Sequence, residues 1–367
     1  MKLLIKSDRS VATAPREAPA ILPVELQAEE RRDVVHRSEV DRLVDVVVRG
    51  LDAGGGTRVL LVGPPGSGKS TLVEQALRSQ GLRAAAERRG LHYIGVKAEY
   101  DLGSLNVVLV DHTGRVERLR GAAWADLYSR LREVCAGHPF LVAALDGVDK
   151  LRPEVVPLAL DWFGEWVGEA ASACKAQAVA VAAVGMRTFE AVAYDRRGTW
   201  LANYAVYYVL GLSYRDFSAL FKAWVKDSAA WKRRGGPGDY DAWRLTGGIP
   251  TYFEVLVEDV LSGREFDKWT FLWHLAEDFG IPEIVRRLGS ADALRKALKD
   301  PDLLDKPDYA GLRRLLLESG VVVRFESPDR LFTEVDRRYA GERYALTVPA
   351  LAEYVAEASE KELLGDE

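Results

Sequence analysis

The segment Gly63-Pro64-Pro65-Gly66-Ser67-Gly68-Lys69-Ser70 stands between an apolar run, Arg58 to Val62, and a helical pattern that follows in Thr71 to Leu77. A glycine-rich loop joining a buried strand to a helix lets backbone N–H groups converge on phosphate oxygens, and the helix aims the positive end of its dipole at the same anion. In that geometry Gly63, Pro64, Pro65, Gly66, Ser67, Gly68 and Thr71 are expected to wrap the phosphates. Lys69 is expected to reach the β- and γ-phosphates, and Ser70 to offer its hydroxyl to Mg²⁺. The loop therefore predicts an α/β P-loop core that binds a nucleotide.

The 367 residues exceed one ordinary domain, and 48% of them are apolar, enough to build more than one core. A net charge of −5 argues against a chain that coats nucleic acid over its whole surface, leaving room for one local basic face. Two cysteines, Cys135 and Cys174, form neither a metal spacing nor a disulfide framework, which favours a reducing, cytoplasmic setting. No run approaches the ~18 to 20 apolar residues of a membrane span, so no membrane partner is expected.

Residues 1 to 30 carry Pro15, Pro19 and Pro23 without periodicity and predict an extended or flexible lead-in. From Arg37 a helical stripe of Val40, Leu43, Val44, Val47, Val48 and Leu51 ends before Gly54-Gly55-Gly56. Strand-like runs then alternate with helical patterns at 58–62, 93–96, 140–145, 178–184 and 205–210, predicting a mostly parallel sheet. Residues 106–120 suggest a hairpin turning at His112-Thr113-Gly114. Beyond Leu210 helices dominate, with Ser213 as the N-cap of a helix over 214–226 and a break at 235–238. From Ile281, two helices (291–299 and 309–318) and strands at 321–325, 331–335 and 343–346 predict a winged helix. The expected division is a core over 31–211, a helical lid over 212–280 and a winged-helix domain over 281–367.

Phe140 to Asp146 is an apolar strand that delivers an acid at its carboxyl end, where open α/β sheets place their ligands. Asp146 is the candidate to hold Mg²⁺ through its water shell. Asp149 either polarises the attacking water or caps the turn before Leu151.

These motifs, in this order, resemble the archaeal ATPases of the STAND class, relatives of AAA+ proteins that include the NACHT and plant resistance-type signalling ATPases. The resemblance runs from about Val34 to Val355. Val35-His36-Arg37-Ser38-Glu39 is similar to the segment that borders the base in that class, which implies a contact by Arg37, although Ser38 replaces the usual acid. Asp146-Gly147-Val148-Asp149 resembles the NACHT form of the Walker B motif, with Gly147 where ordinary AAA+ proteins carry glutamate. The resemblance implies slow Mg²⁺-dependent ATP hydrolysis and a sheet with the P-loop strand central, the Walker B and sensor strands beside it.

The same resemblance makes Arg187, after the strand 178–185, a sensor of the γ-phosphate; the alternative is a surface arginine capping that strand. Gly247-Gly248-Ile249-Pro250 is similar to the signature whose proline packs on adenine, while Gly and Pro at those positions also mark an ordinary helix boundary. ATP or ADP is thus the implied ligand, with an unidentified protein partner or self-association. Duplex DNA is a further candidate through the winged helix, where Arg313 and Arg314 could meet phosphates. That segment, 281–345, is however nearly neutral, with 13 Lys and Arg against 12 Asp and Glu. His274 and the tryptophans at 162, 166, 224, 231, 269 and 273 are expected to be packing residues, His274 a buried one.

Overall fold

The computed structural model describes residues 37–88, 92–101, 104–111, 113, 115–134, 140–195, 199–262, 265–327, 330–331, 338 and 340–364. The expected lead-in, His112 and Gly114 of the hairpin turn, and most of the strand expected over 331–335 lie outside the described residues.

Seven strands form one sheet: β1 (Thr57–Gly63), β2 (Tyr93–Asp101), β3 (Ser104–Asp111), β4 (Val116–Ala122), β5 (Phe140–Asp146), β6 (Gln177–Gly185) and β7 (Ala205–Tyr208). Their order is β4-β3-β2-β5-β6-β1-β7. β2, β5, β6, β1 and β7 run parallel, and the β2–β3–β4 meander adds two antiparallel strands at one edge. β5 is buried at every position, as a strand covered by helices on both faces must be, whereas β4 alternates and is largely exposed. This is the α/β core of a P-loop NTPase. One expectation needs correcting: β1 lies next to the sensor strand β6 and near the end of the sheet, while the Walker B strand β5 is one strand further away. The centre goes to β5 because the antiparallel meander extends the sheet on its far side.

Register aligns the strand tips. Gly63 at the end of β1 pairs with Gly185 at the end of β6, and Asp146 at the end of β5 pairs with Glu99 near the end of β2. Four parallel strands therefore deliver the P-loop, Asp146, the turn after Gly185 and Glu99 to one edge of the sheet.

After β7 the chain is helical. The Tyr214–Trp224 helix begins at Ser213, whose side chain accepts the Asp216 N–H, and the helices Ser228–Arg233 and Asp239–Thr246 flank the break over 235–238. The helices Pro250–Leu261 and Lys268–Asp278 complete the lid region. Then come helices Ile281–Leu288, Asp292–Lys299 and Ala310–Ser319, a two-stranded antiparallel sheet of β8 (Val322–Arg324) and β9 (Tyr344–Leu346), and helices Ala350–Glu357 and Glu360–Leu364. A helical run followed by a short hairpin is the order expected of a winged helix.

The lid and C-terminal segments share one apolar cluster that includes Phe217, Phe253, Phe271, Leu294, Leu316 and Leu351. Val323, Phe325, Leu331 and Ala345 from the hairpin region instead belong to the cluster beneath one face of the main sheet. Leu331 also bridges Tyr208 of β7. The hairpin thus packs on the core through Val323 and Ala345 and on the lid and C-terminal cluster through Val322, Tyr344 and Leu346.

Candidate nucleotide site

The P-loop is a tight turn between β1 and the Lys69–Arg78 helix. Its shape is held from within and from outside. Lys69 is buried, and its Nζ donates to the carbonyls of Gly63 and Pro64, each at 2.9 Å. Burial lowers the Lys69 pKa, opposed by the charges of Asp149 and Asp146 and assisted by that of Arg37. From outside, Arg37 is 3% exposed and donates through Nη1 to the carbonyls of Ser67 (2.8 Å) and Gly68 (3.0 Å). Its Nε lies 3.5 Å from Glu39 Oε2, an ion pair buried on both sides.

A cavity of about 370 Å³ opens above the loop. Arg37, Gly66, Gly68, Lys69, Ser70, Thr71 and Glu74 form one wall, with Lys97 and Glu99 of β2 beside them. The lid forms the facing wall with Leu212, Leu220, Trp224, Pro250, Thr251 and Glu254. The apolar end, Leu212, Leu220, Trp224 and Pro250, suits a flat ring system, and the opposite end carries the Lys69 and Lys97 ammonium groups beside the Glu74 and Glu99 carboxylates. Gly66 has φ +74°, and a Cβ there would fall 2.1 Å from Thr251 Oγ1, so the lid rests directly on the loop at a position where only glycine fits.

The loop and its surroundings keep unfilled polar capacity. Arg37 Nη2, Glu39 Oε1, Ser67 Oγ and Asp146 Oδ2 are buried and have no hydrogen-bond partner among the described residues. Asp146 Oδ1 accepts the Gly147 N–H, and Oδ2 faces Lys97 Nζ at 3.5 Å. A buried polar atom without a partner is costly unless a ligand supplies one. Ser70 beside the P-loop and Asp146 at the strand tip have the oxygen donors that Mg²⁺ prefers, so these residues fit that ion. Among the described residues there is no cluster of three or more His, Cys, Asp or Glu of the kind that forms a self-contained metal site.

The remaining sequence candidates fall in three places. Pro250 starts the Pro250–Leu261 helix and lines the cavity. Asp149 turns toward the sensor strand: its carboxylate accepts the Gly185 N–H and a hydrogen bond from Thr188. Burial raises its pKa, opposed by the Gly185 N–H and the Lys69 charge. Arg187 points away from the cavity, its Nε donating to the Ser319 carbonyl (3.0 Å) and its Nη2 to that of Asp278. His274 is exposed on the Lys268–Asp278 helix, its ring tilted against that of Trp273, rather than buried as expected. Trp166 and Trp231 are buried as expected, whereas Trp162 and Trp269 remain about 40% exposed.

Sequence reasoning missed Lys97, Glu99 and Thr251, which reach the site only through strand register and lid docking. It also missed Asp216, whose Oδ2 accepts both the Ser38 N–H and the Ser38 hydroxyl at 2.8 Å, joining the helix before the P-loop to the first lid helix. Ser38 is therefore a latch in this chain.

No protein-family model and no curated protein matches the chain. Among solved structures it is similar to the Aeropyrum pernix ORC2 protein in its ADPNP–ADP complexes, at 15% identity over 89% of this chain and 93% of that one, with a TM-score of 0.41. It is also similar to the Walker-type ATPase paby2304 of Pyrococcus abyssi, at 15% identity over 89% and 97%, with a TM-score of 0.43. The S. cerevisiae Hsp104–casein complex matches 64% of this chain and 38% of that one at 14% identity and a TM-score of 0.35. The fold assignment rests on the strand order and on the P-loop between β1 and its helix. Among the described residues no helix is long and apolar enough to cross a membrane.

Proposed function

We propose that this chain is a cytoplasmic ATPase of the AAA+-related STAND type, a conformational switch that binds and slowly hydrolyses ATP and passes its nucleotide state to the winged-helix domain and a partner. The observation that carries the reading is that one cavity is walled by both the P-loop and the lid, with Thr251 seated on Gly66. A ligand placed there touches both bodies, so its presence and its charge bias their relative position.

In this reading Lys69 leaves the carbonyls of Gly63 and Pro64 to meet the β- and γ-phosphates, and the loop amides take the remaining oxygens. Arg37 holds the loop in the receptive shape, and the base lies against Pro250 and Trp224. Mg²⁺, held by Ser70 and through water by Asp146, would neutralise charge on the phosphate oxygens as the γ-phosphoryl group is transferred to water. Asp149 ties the Walker B turn to the sensor strand. Arg187 then links that strand to the carbonyl ends of a lid helix and a C-terminal helix.

Direct attachment to duplex DNA has less support: Arg313 is bonded to the Leu304 carbonyl, and Arg314 pairs with Glu318. The test is the nucleotide retained by the purified protein, followed by phosphate release and limited proteolysis with ATP, with ADP and without nucleotide. The switch reading expects retained ADP, slow release that vanishes in Lys69→Ala, and a nucleotide-dependent digestion pattern. Rapid multiple turnover with one unchanging pattern would show an ATPase that is not a switch. Binding to duplex DNA at low salt that weakens steeply as salt rises would favour a DNA-attached factor instead.

A further inference from the structure

Resting on the ATP-hydrolysing reading, we propose that Glu99 of β2 is the catalytic carboxylate that orients and deprotonates the attacking water, in place of an acid following the Walker B strand. Three observations converge on it. First, the position directly after Asp146 has no room for an acid. Gly147 has φ +73°, and a Cβ there would lie 2.9 Å from the Tyr100 carbonyl oxygen and 3.4 Å from Glu99 Cγ. Glu99 itself occupies the space beside residue 147.

Second, Asp149 is committed elsewhere. Its carboxylate accepts the Gly185 N–H and a hydrogen bond from Thr188, and it does not line the cavity. A Cβ at Gly185 would fall 2.9 Å from Asp149 Oδ2, which marks the two as closely fitted partners. Third, Glu99 is the register partner of Asp146 across the parallel β2–β5 pair, and it lines the cavity together with Lys69 and Ser70. Lys97 and Glu99, two residues apart, face the same side of β2. Lys97 is buried against Asp146, whereas the Glu99 side chain is 40% exposed, with Oε1 3.5 Å from Lys150 Nζ. An exposed pair of that length restrains the carboxylate only weakly.

In the step proposed, the water oxygen bonds to the γ-phosphorus as the bond from that phosphorus to the β–γ bridging oxygen breaks, the electron pair leaving on ADP. Glu99 takes the water proton and returns it to solvent or to the released phosphate.

The experiment compares wild type, Glu99→Gln and Asp149→Asn for MgATP affinity with a fluorescent analogue, for the nucleotide that co-purifies, and for phosphate release. General bases contribute about 10²- to 10⁴-fold. Glu99→Gln is expected to lower phosphate release at least ~100-fold, to keep MgATP affinity within about threefold, and to shift the retained nucleotide from ADP toward ATP. Phosphate release unchanged within about threefold overturns the assignment, and if Asp149→Asn alone abolishes release the role passes to Asp149. A loss of affinity of about tenfold or more seen only with Mg²⁺ also overturns it, because Glu99 would then be a metal ligand. Wild type that binds ATP without hydrolysing it refutes the assignment and leaves nucleotide binding standing. Wild type that binds no nucleotide refutes both.

Discussion

Arg37 and Glu190 are both buried charged groups, and their surroundings give them opposite parts to play. Arg37 is held through Nη1 by the carbonyls of Ser67 and Gly68 and through Nε by the carboxylate of Glu39, so its guanidinium shapes the P-loop while Nη2 stays open to a ligand. Glu190, 3% exposed on the Met186–Asp195 helix, has its carboxyl pushed up to about 7 by burial, with Arg324 pulling it down and Glu318 pushing it further up. A folded-state pKa above the unfolded value contributes stability that is complete below about 4.5 and is lost as pH rises through about 7. The difference corresponds to on the order of 3 kcal/mol well above that pH. Glu190→Gln, neutral throughout, should therefore gain stability relative to wild type between pH 5 and pH 8. Urea unfolding at the two pH values measures this, and equal losses in both proteins would refute it. At this scale the sequence disclosed the residues whose role is local. Lys69 and Ser70 follow from a contiguous loop, and Asp146 from an apolar strand ending in an acid. Glu99, Lys97, Thr251 and Asp216 were hidden because strand register and lid docking bring them to the site from far along the chain, 28 residues from Lys69 to Lys97 and 185 from Gly66 to Thr251, which no spacing encodes.

Elements show the same division between local and distant causes. β1, β5 and β6 were legible because a buried parallel strand is a short unbroken apolar run, and the Tyr214–Trp224 helix because Ser213 caps it. The order of those strands was not legible, and the expectation that β5 adjoins β1 failed because adjacency depends on crossover connections rather than on any strand's own residues. The contact between the P-loop and the Pro250–Leu261 helix was equally invisible, and it can be tested. Gly66→Ala imposes a left-handed conformation on alanine, at about 1 kcal/mol or more, and drives its Cβ against Thr251 Oγ1. The lid should be displaced from the loop. Hydrogen exchange in the Pro250–Leu261 helix should accelerate, and nucleotide affinity should fall by about tenfold or more. Unchanged exchange together with lowered affinity would confine the effect to the loop and show that the lid contact is incidental.

Across the whole molecule, the lid and C-terminal helices share one apolar cluster, so a force applied to either is carried by both. The Met186–Asp195 helix is placed to apply it. Its first turn follows Gly185, whose N–H is held by Asp149, and the helix packs on Ala310–Ser319. Arg187 fastens this helix to the carbonyls of Ser319 and Asp278, one at the end of a C-terminal helix and the other at the end of a lid helix. A displacement of the Walker B turn when the γ-phosphate departs would therefore pull on Gly185, rotate the helix and move Arg187 with its two acceptors. Arg187→Ala removes both bonds at a net cost of about 1 to 3 kcal/mol, without touching a residue that lines the cavity. MgATP affinity should stay within about threefold of wild type, while the difference in proteolysis between the ATP and ADP states shrinks or disappears. Arg187→Lys, which keeps the charge but lacks the two-pronged donor geometry, should restore it only in part. A sensor that touches the γ-phosphate predicts the converse: ATP affinity or turnover falls sharply in Arg187→Ala, and the conformational difference persists once the site is saturated. The two roles for Arg187 thus separate on whether binding or coupling is lost first.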